Sequence, residues 1–184
     1  MLTALEDGVK GGVWFSLIDK VYSAKNLESA FAQVQAWTEQ VDLQLHPEKT
    51  RLVDATQQDG FDFLGYHFEC GRRWPSKKSL SKLRDAIRAK TRRTNGRSLP
   101  SIITTVNRTL RGWFKYFKHS HPTTFKPIDG WVRMRLRSIL RHRSRRRGVG
   151  RGPDHWRWPN KFFAARGLFS MLAAYGAPGQ PRPG

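Results

Sequence analysis

The chain is 184 residues long and carries a formal net charge of +20, with 12% aromatic residues. That length suffices for one domain with a real core or for two small ones, and the aromatic content argues against a wholly disordered polycation. The charge is unevenly placed: residues 72–151 hold 25 Lys or Arg against Asp85 and Asp129, a net of +23, while residues 1–71 carry −6 and residues 152–184 carry +3. So one-signed a surface repels itself unless a polyanion neutralises it, which makes nucleic acid the first partner to test. A single cysteine, Cys70, rules out an internal disulfide framework and a Cys-based zinc cluster, and it fits a reducing, cytoplasmic setting. Residues 1–12 have no basic segment followed by an apolar run, so no signal peptide is expected there, and no apolar stretch is long enough to span a bilayer.

In chain order, residues 1–12 give no element, and Val13 to Tyr22 reads as a strand from its β-branched and aromatic content. From Asn26 to Asp42 a helical stripe appears at Leu27, Ala30, Phe31, Val34 and Trp37, with Ser23 or Asn26 as cap. A Pro turn at His46-Pro47 leads to a strand over Thr50–Asp54. Phe61 to Glu69 alternates Phe61, Phe63, Tyr66 and Phe68 around Gly65, which predicts a bent strand or a hairpin arm.

Three amphipathic helices are predicted in the basic region. The first covers about Ser79–Arg93, with Leu80, Leu83 and Ile87 on one face and Arg84, Arg88 and Arg92 on another; Asn95-Gly96 ends it. The second starts at the N-cap Ser98, and its stripe is Leu99, Ile103, Val106, Leu110, Trp113 and Phe117. Arg108, Arg111, Lys115 and Lys118 repeat beside that stripe. The third covers Phe125–Arg143, with Phe125, Ile128, Val132, Leu136 and Ile139 inward and Arg133, Arg137 and Arg141 one turn apart. Such helices bury their stripes on one another most simply as a three-helix bundle. Arg143–Arg151 reads as a mobile arm, residues 156–172 as an ordered segment with a short helix, and residues 177–184 as a disordered tail.

The strings LHPEKTRLVD, FDFLGYHF, LRGWFKYF, DGWVRMRLRSILRHRSRRR and WPNKFF, in this order, resemble the C-terminal half of group II intron-encoded reverse transcriptase–maturases. The resemblance covers about residues 26–172. It implies an α+β chain: a degenerate segment at 1–25, a palm remnant of one helix and short antiparallel strands at 26–70, a basic thumb bundle (maturase domain X) at 76–147, and an arm, short helical segment and tail at 148–184. It also implies a primer-grip-like element at Phe63, Leu64, Gly65 and Tyr66, and structured intron RNA as the partner.

Departures from the family limit its chemistry. Where the family carries a Tyr-Ala-Asp-Asp turn, this chain has Phe15-Ser16-Leu17-Ile18-Asp19. Nucleotidyl transfer needs several carboxylates around two cations about 4 Å apart, and Asp19 alone cannot hold them. The paired cysteines of the family's endonuclease are also missing. The expectation is a non-enzymatic RNA-binding protein with no cofactor and no metal, and no membrane contact. Its expected RNA contacts are Arg84, Arg88, Arg92, Arg108, Arg111, Lys115, Lys118, Arg133, Arg137, Arg141, Arg145, Arg146 and Arg147, chosen because Lys and Arg neutralise phosphates and guanidinium groups fork them. A solvated helix face is the plainer reading of such residues, but it usually mixes signs. Core packing is the plainer reading of Trp113 and Phe117, whereas Phe114, Tyr116 and Trp131 stay open between core and base stacking. His119-x-His121 reads as a surface turn rather than a metal site, and Cys70 as a lone thiol at a strand end. Three alternatives remain beside the maturase reading: a decayed fragment, a DNA-binding module, and a subunit completing a separately encoded reverse transcriptase.

Overall fold

The computed structural model describes residues 2–5, 27–42, 50–53, 60–148 and 152–177. It is α+β, and it divides into two compact units, Met1–Arg73 and Trp74–Gly184. The expected strand at Val13–Tyr22, the His46 turn and the Phe15–Asp19 stretch lie outside the described residues.

In the first unit, β1 (Leu2–Leu5) pairs antiparallel with β2 (Thr50–Val53), Leu2 opposite Val53 and Leu5 opposite Thr50. The sequence predicts no element at Leu2–Leu5; a four-residue strand whose partner lies 45 or more positions away has too little local pattern to announce itself. Helix α1 (Leu27–Gln40) buries Val34 and Thr38, and Val41 beyond its end is exposed. Strands β3 (Phe61–Phe63), β4 (Tyr66–Glu69) and β5 (Arg72–Pro75) form a meander in that order. Its first register sets Phe61 opposite Phe68, Asp62 opposite His67 and Phe63 opposite Tyr66. Opposed residues share a face, so four aromatics line one side, with the Phe61 and Phe68 rings stacked at 5.2 Å. On the other side His67 Nδ1 meets Asp62 Oδ1 at 2.7 Å.

Two-residue turns link these strands, Leu64-Gly65 and Cys70-Gly71, and all four residues have positive φ. Both central residues left-handed is the conformation whose twist matches paired antiparallel strands, and glycine at the second position takes it freely. Of the bent strand and the hairpin arm expected around Gly65, the structure has the hairpin. β5 is not predicted, because the second turn lacks the Asn-Gly or Asp-Gly signature. Cys70 is exposed and directly follows the last residue of β4, at a strand end as expected.

The second unit is a helical bundle. Helix α2 (Lys77–Lys90) begins two residues before the expected start because Ser76 caps it: the Ser79 N–H donates to Ser76 Oγ at 3.2 Å. It also ends earlier, at Thr91, whose hydroxyl donates back to the Ile87 carbonyl at 2.7 Å. Helix α3 (Leu99–Phe117) starts at the predicted cap, the Ser101 N–H donating to Ser98 Oγ at 3.4 Å. A 3₁₀ turn at Pro122–Thr124 leads into α4 (Phe125–Arg143). All five residues of the α4 apolar stripe are buried. On α3 the buried face runs through Ile102 and Phe114, and Trp113 is only half-buried beside it. Phe114, open in the sequence, belongs to the core, its ring edge-on to Phe125 at 5.3 Å.

The C-terminal segment completes this core with three short helices, α5 (Asp154–Arg157), α6 (Asn160–Ala164) and α7 (Met171–Tyr175). Trp158, Phe163 and Met171 pack into the same cluster as the three long helices. Helix α7 lies against α4 and α3. Polar side chains fix its path. Asn107 of α3 donates to the Gly167 carbonyl at 2.7 Å and accepts from the Phe169 N–H at 2.8 Å. Asp129 of α4 is buried and accepts from Ser170 Oγ at 2.6 Å, the Met171 N–H at 3.1 Å and the Leu172 N–H at 3.2 Å. It thereby satisfies otherwise orphaned donors in the first turn of α7.

Candidate nucleic-acid interface

Residues 74–184 hold 27 Lys or Arg and three acids. Each acid is engaged. Asp85 pairs with Arg88 on the α2 surface at 2.7 Å, Asp129 caps α7, and Asp154, 1% exposed, takes Arg141 Nη1 at 2.7 Å. Two of the three negative charges are therefore turned inward, and the surface of this unit is left close to one sign.

One basic cluster lies where the C-termini of α2 and α4 meet the α2–α3 loop. Two arginines of α4 grip that loop. Arg135 donates through Nε to Thr91 Oγ1 at 3.1 Å and through Nη2 to the Thr91 carbonyl at 2.9 Å. Arg143 donates to the Asn95 carbonyl at 3.1 Å and to that of Arg97. Asn95 stiffens the loop from inside: its Nδ2 donates to the Lys90 carbonyl at 3.0 Å and its Oδ1 accepts from the Arg97 N–H at 3.0 Å. The result is a fixed loop presenting the exposed Arg92, Arg93 and Arg97. Burial pushes the Arg135 guanidinium below the usual arginine range, and neighbouring Arg88 and Arg93 push the same way.

The segment after α4 belongs to the same end. The Arg146 N–H donates to the Arg141 carbonyl at 3.1 Å, and the Arg145 N–H to that of His142 at 2.9 Å, with Arg145 at φ +58°. This pairing is a Schellman cap with arginine in the left-handed position that glycine normally takes. Arg141 Nε also holds the Arg147 carbonyl at 2.6 Å. Residues 144–147 are therefore an ordered cap, which corrects the expected mobile arm over that part; residues 149–151 lie outside the described residues. The left-handed arginine has a cost that glycine would avoid. Arg145→Gly is expected to stabilise the fold by about 1 kcal/mol, read as a rise of a few degrees in the thermal midpoint, while removing a surface charge.

The expected contact residues divide into two groups. Arg84, Arg88, Arg92, Arg108, Arg111, Lys115, Arg145, Arg146 and Arg147 are exposed, and Lys118 and Arg133 are half-buried. Arg111 also lies over the Phe169 ring, 4.8 Å from its centroid, and Arg88 over Trp131 at 5.9 Å.

Arg137 is a correction. It is 1% exposed, donates through Nε to the Trp158 carbonyl at 2.9 Å and through Nη2 to Asn160 Oδ1 at 2.8 Å, and sits over the Phe163 ring. Burial lowers its pKa, Arg133 adds to that, and Asp154 opposes it. Arg141, half-buried on Asp154, is likewise turned inward. The four-residue spacing of Arg133, Arg137 and Arg141 marks one helix face correctly, but the segment from 154 to 160 covers that face. Conversely, Arg93, Arg97, Arg135 and Arg143 belong to the basic end without being among the expected contacts. The run Arg92-Arg93-Thr94-Asn95-Gly96-Arg97 is the available signal in the sequence, where its Asn-Gly pair speaks only for a helix stop.

The primer-grip-like residues form the tip of the β3–β4 hairpin, with Phe63 buried and Leu64 exposed. Tyr116 is 48% exposed. His121 precedes the 3₁₀ turn, with Nδ1 at 2.7 Å from Thr123 Oγ1. Among the described residues no three His, Cys, Asp or Glu side chains gather as metal ligands, and no helix is long and apolar enough to cross a membrane.

Fold and charge layout together define a small basic helical bundle whose surface chemistry suits a polyanion. Residues 80–158 match the family model of the group II intron, maturase-specific domain. Over that segment the chain is similar to a maturase-specific domain, which supports a maturase-type role in general terms. The match runs from within α2 to Trp158, so α6 and α7 lie beyond it while packing into the same core. No curated protein matches the chain.

Proposed function

We propose that the basic end of this bundle binds structured intron RNA and stabilises its folded form for splicing, with the RNA supplying the chemistry. The observation that carries this reading is the α2–α3 loop, fixed by Arg135 and Arg143 of α4 so that Arg92, Arg93 and Arg97 stand exposed close together in the chain. Folding guanidinium groups against one another is unfavourable in the free protein and becomes favourable when phosphates lie between them. Compact RNA presents closely spaced phosphates, so the same charges that repel in isolation would offset repulsion within the RNA. In this reading the chain holds RNA without copying or cutting it, in keeping with a domain type that is not itself catalytic.

The test is binding of the full chain to a folded group II intron RNA as salt is raised. Neutralising about six phosphates predicts a log–log slope of roughly −4 to −5. A flat response would remove the electrostatic basis of the proposal. Equal affinity for duplex DNA of matched length would show a general polyanion binder, because RNA preference needs contacts to the 2′-hydroxyl or to unpaired bases. Arg145→Gly is expected to weaken this binding even as it raises the thermal midpoint.

A further inference from the structure

Trp156 is 89% exposed, and it is the one exposed tryptophan among the described residues. Single exposed apolar residues are common and by themselves mean little. What sets this one apart is how firmly the backbone around it is held. Two residues before it, the buried Asp154 carboxylate is fixed by Arg141; two residues after it, the Trp158 carbonyl is fixed by Arg137, which also holds Asn160. The Trp158 N–H closes the turn onto the Asp154 carbonyl at 2.9 Å. Since helical residues advance about 100° each, an inward Asp154 sets Trp156 on the outward side. The indole is displayed on a short turn pinned at both ends.

The same pin sets its neighbours. The Arg141 guanidinium that binds Asp154 through Nη1 also holds the Arg147 carbonyl through Nε. One side chain thus ties the turn bearing Trp156 to the cap bearing Arg145, Arg146 and Arg147, all exposed. The acid of this turn, Asp154, is buried and paired, so its charge is not presented at the surface. His155 and Arg157, beside Trp156 in the chain, are exposed as well.

We infer that Trp156 is a stacking platform for an unpaired RNA base, with the Arg145–Arg147 cap neutralising the phosphates that flank it. The inference rests on the RNA-binding reading above and narrows its ligand. A base within a duplex hides its face, so only a loop, bulge or single-stranded end can stack there. A rigidly mounted indole suits this, because little backbone freedom remains to be lost on binding.

The test compares two RNAs of equal length and charge, a hairpin with an unpaired loop and a blunt duplex, bound to the full-length wild type, Trp156→Ala and Trp156→Phe. The wild type is expected to prefer the hairpin. Trp156→Ala should lose about 10-fold in hairpin affinity and leave duplex affinity unchanged, and Trp156→Phe should keep most of the preference. Because the side chain is exposed, all three proteins should melt together, which separates stacking from folding. If Trp156→Ala keeps the hairpin preference, or loses affinity for both RNAs equally, the stacking role is wrong while RNA binding stands. If the wild type binds neither RNA, the RNA-binding reading itself falls, and the stacking role with it.

Discussion

Replacing Arg137 with alanine is expected to lower the thermal midpoint of the chain by roughly 10 °C or more, an effect seldom seen for an arginine in a basic stripe. The guanidinium is buried, and two of its nitrogens serve the Trp158 carbonyl and Asn160 Oδ1. Alanine leaves that carbonyl without its donor and opens a void beside Phe163, together costing about 3 kcal/mol. Lysine should recover only a small part, since a single ammonium cannot reproduce the planar fork that reaches both acceptors. Thermal unfolding of the wild type, Arg137→Ala and Arg137→Lys measures this directly. An unchanged midpoint combined with weaker RNA binding would mean that Arg137 works at the surface, and that the latch holding α5 and α6 is misassigned.

The reverse pattern is expected at the α2–α3 loop. Changing Arg92, Arg93 and Arg97 together to glutamine should leave the fold intact, because these side chains are exposed and the loop is held through its backbone and Asn95. Removing Arg93 also relieves repulsion on Arg135. The thermal midpoint should hold or rise slightly. RNA affinity should fall on the order of 100-fold at low salt, taking about 1 kcal/mol for each charge some 4 Å from a phosphate. The salt slope should become shallower by about three, one for each phosphate that is no longer neutralised. A salt titration on both proteins reads out both numbers. If affinity drops and the slope does not change, these arginines act by shaping the loop rather than by neutralising phosphate.

The two substitutions predict opposite outcomes for residues that look alike in sequence. Arg137 and Arg133 sit one turn apart on α4, yet Arg137 is interior and Arg133 half-exposed. Hydrophobic periodicity fixes which positions of a helix share a face. It does not say which later segment will cover the neighbouring face, and here that cover arrives 21 to 23 positions downstream. Asp129 makes the same point from the opposite sign: a charged residue next to an apolar stripe reads as solvent-facing until α7 is docked on it.

Local rules decide much of this protein. The cap at Ser98 and the periods of α3 and α4 follow from steric and hydrogen-bonding preferences within a turn or two, so those helices are legible residue by residue. The Phe61–Phe68 alternation marks a hairpin because strand side chains alternate with period two. Net charge and its placement are properties of composition, and they point to a polyanion without any knowledge of the fold. Only the tertiary structure decides which arginines hold the protein together and which face outward. It sets Arg135 and Arg143 on the α2–α3 loop, turns Arg137 and Arg141 inward, and brings Leu2–Leu5 beside Thr50–Val53. Those outcomes depend on contacts between residues far apart in the chain, and no local pattern encodes them.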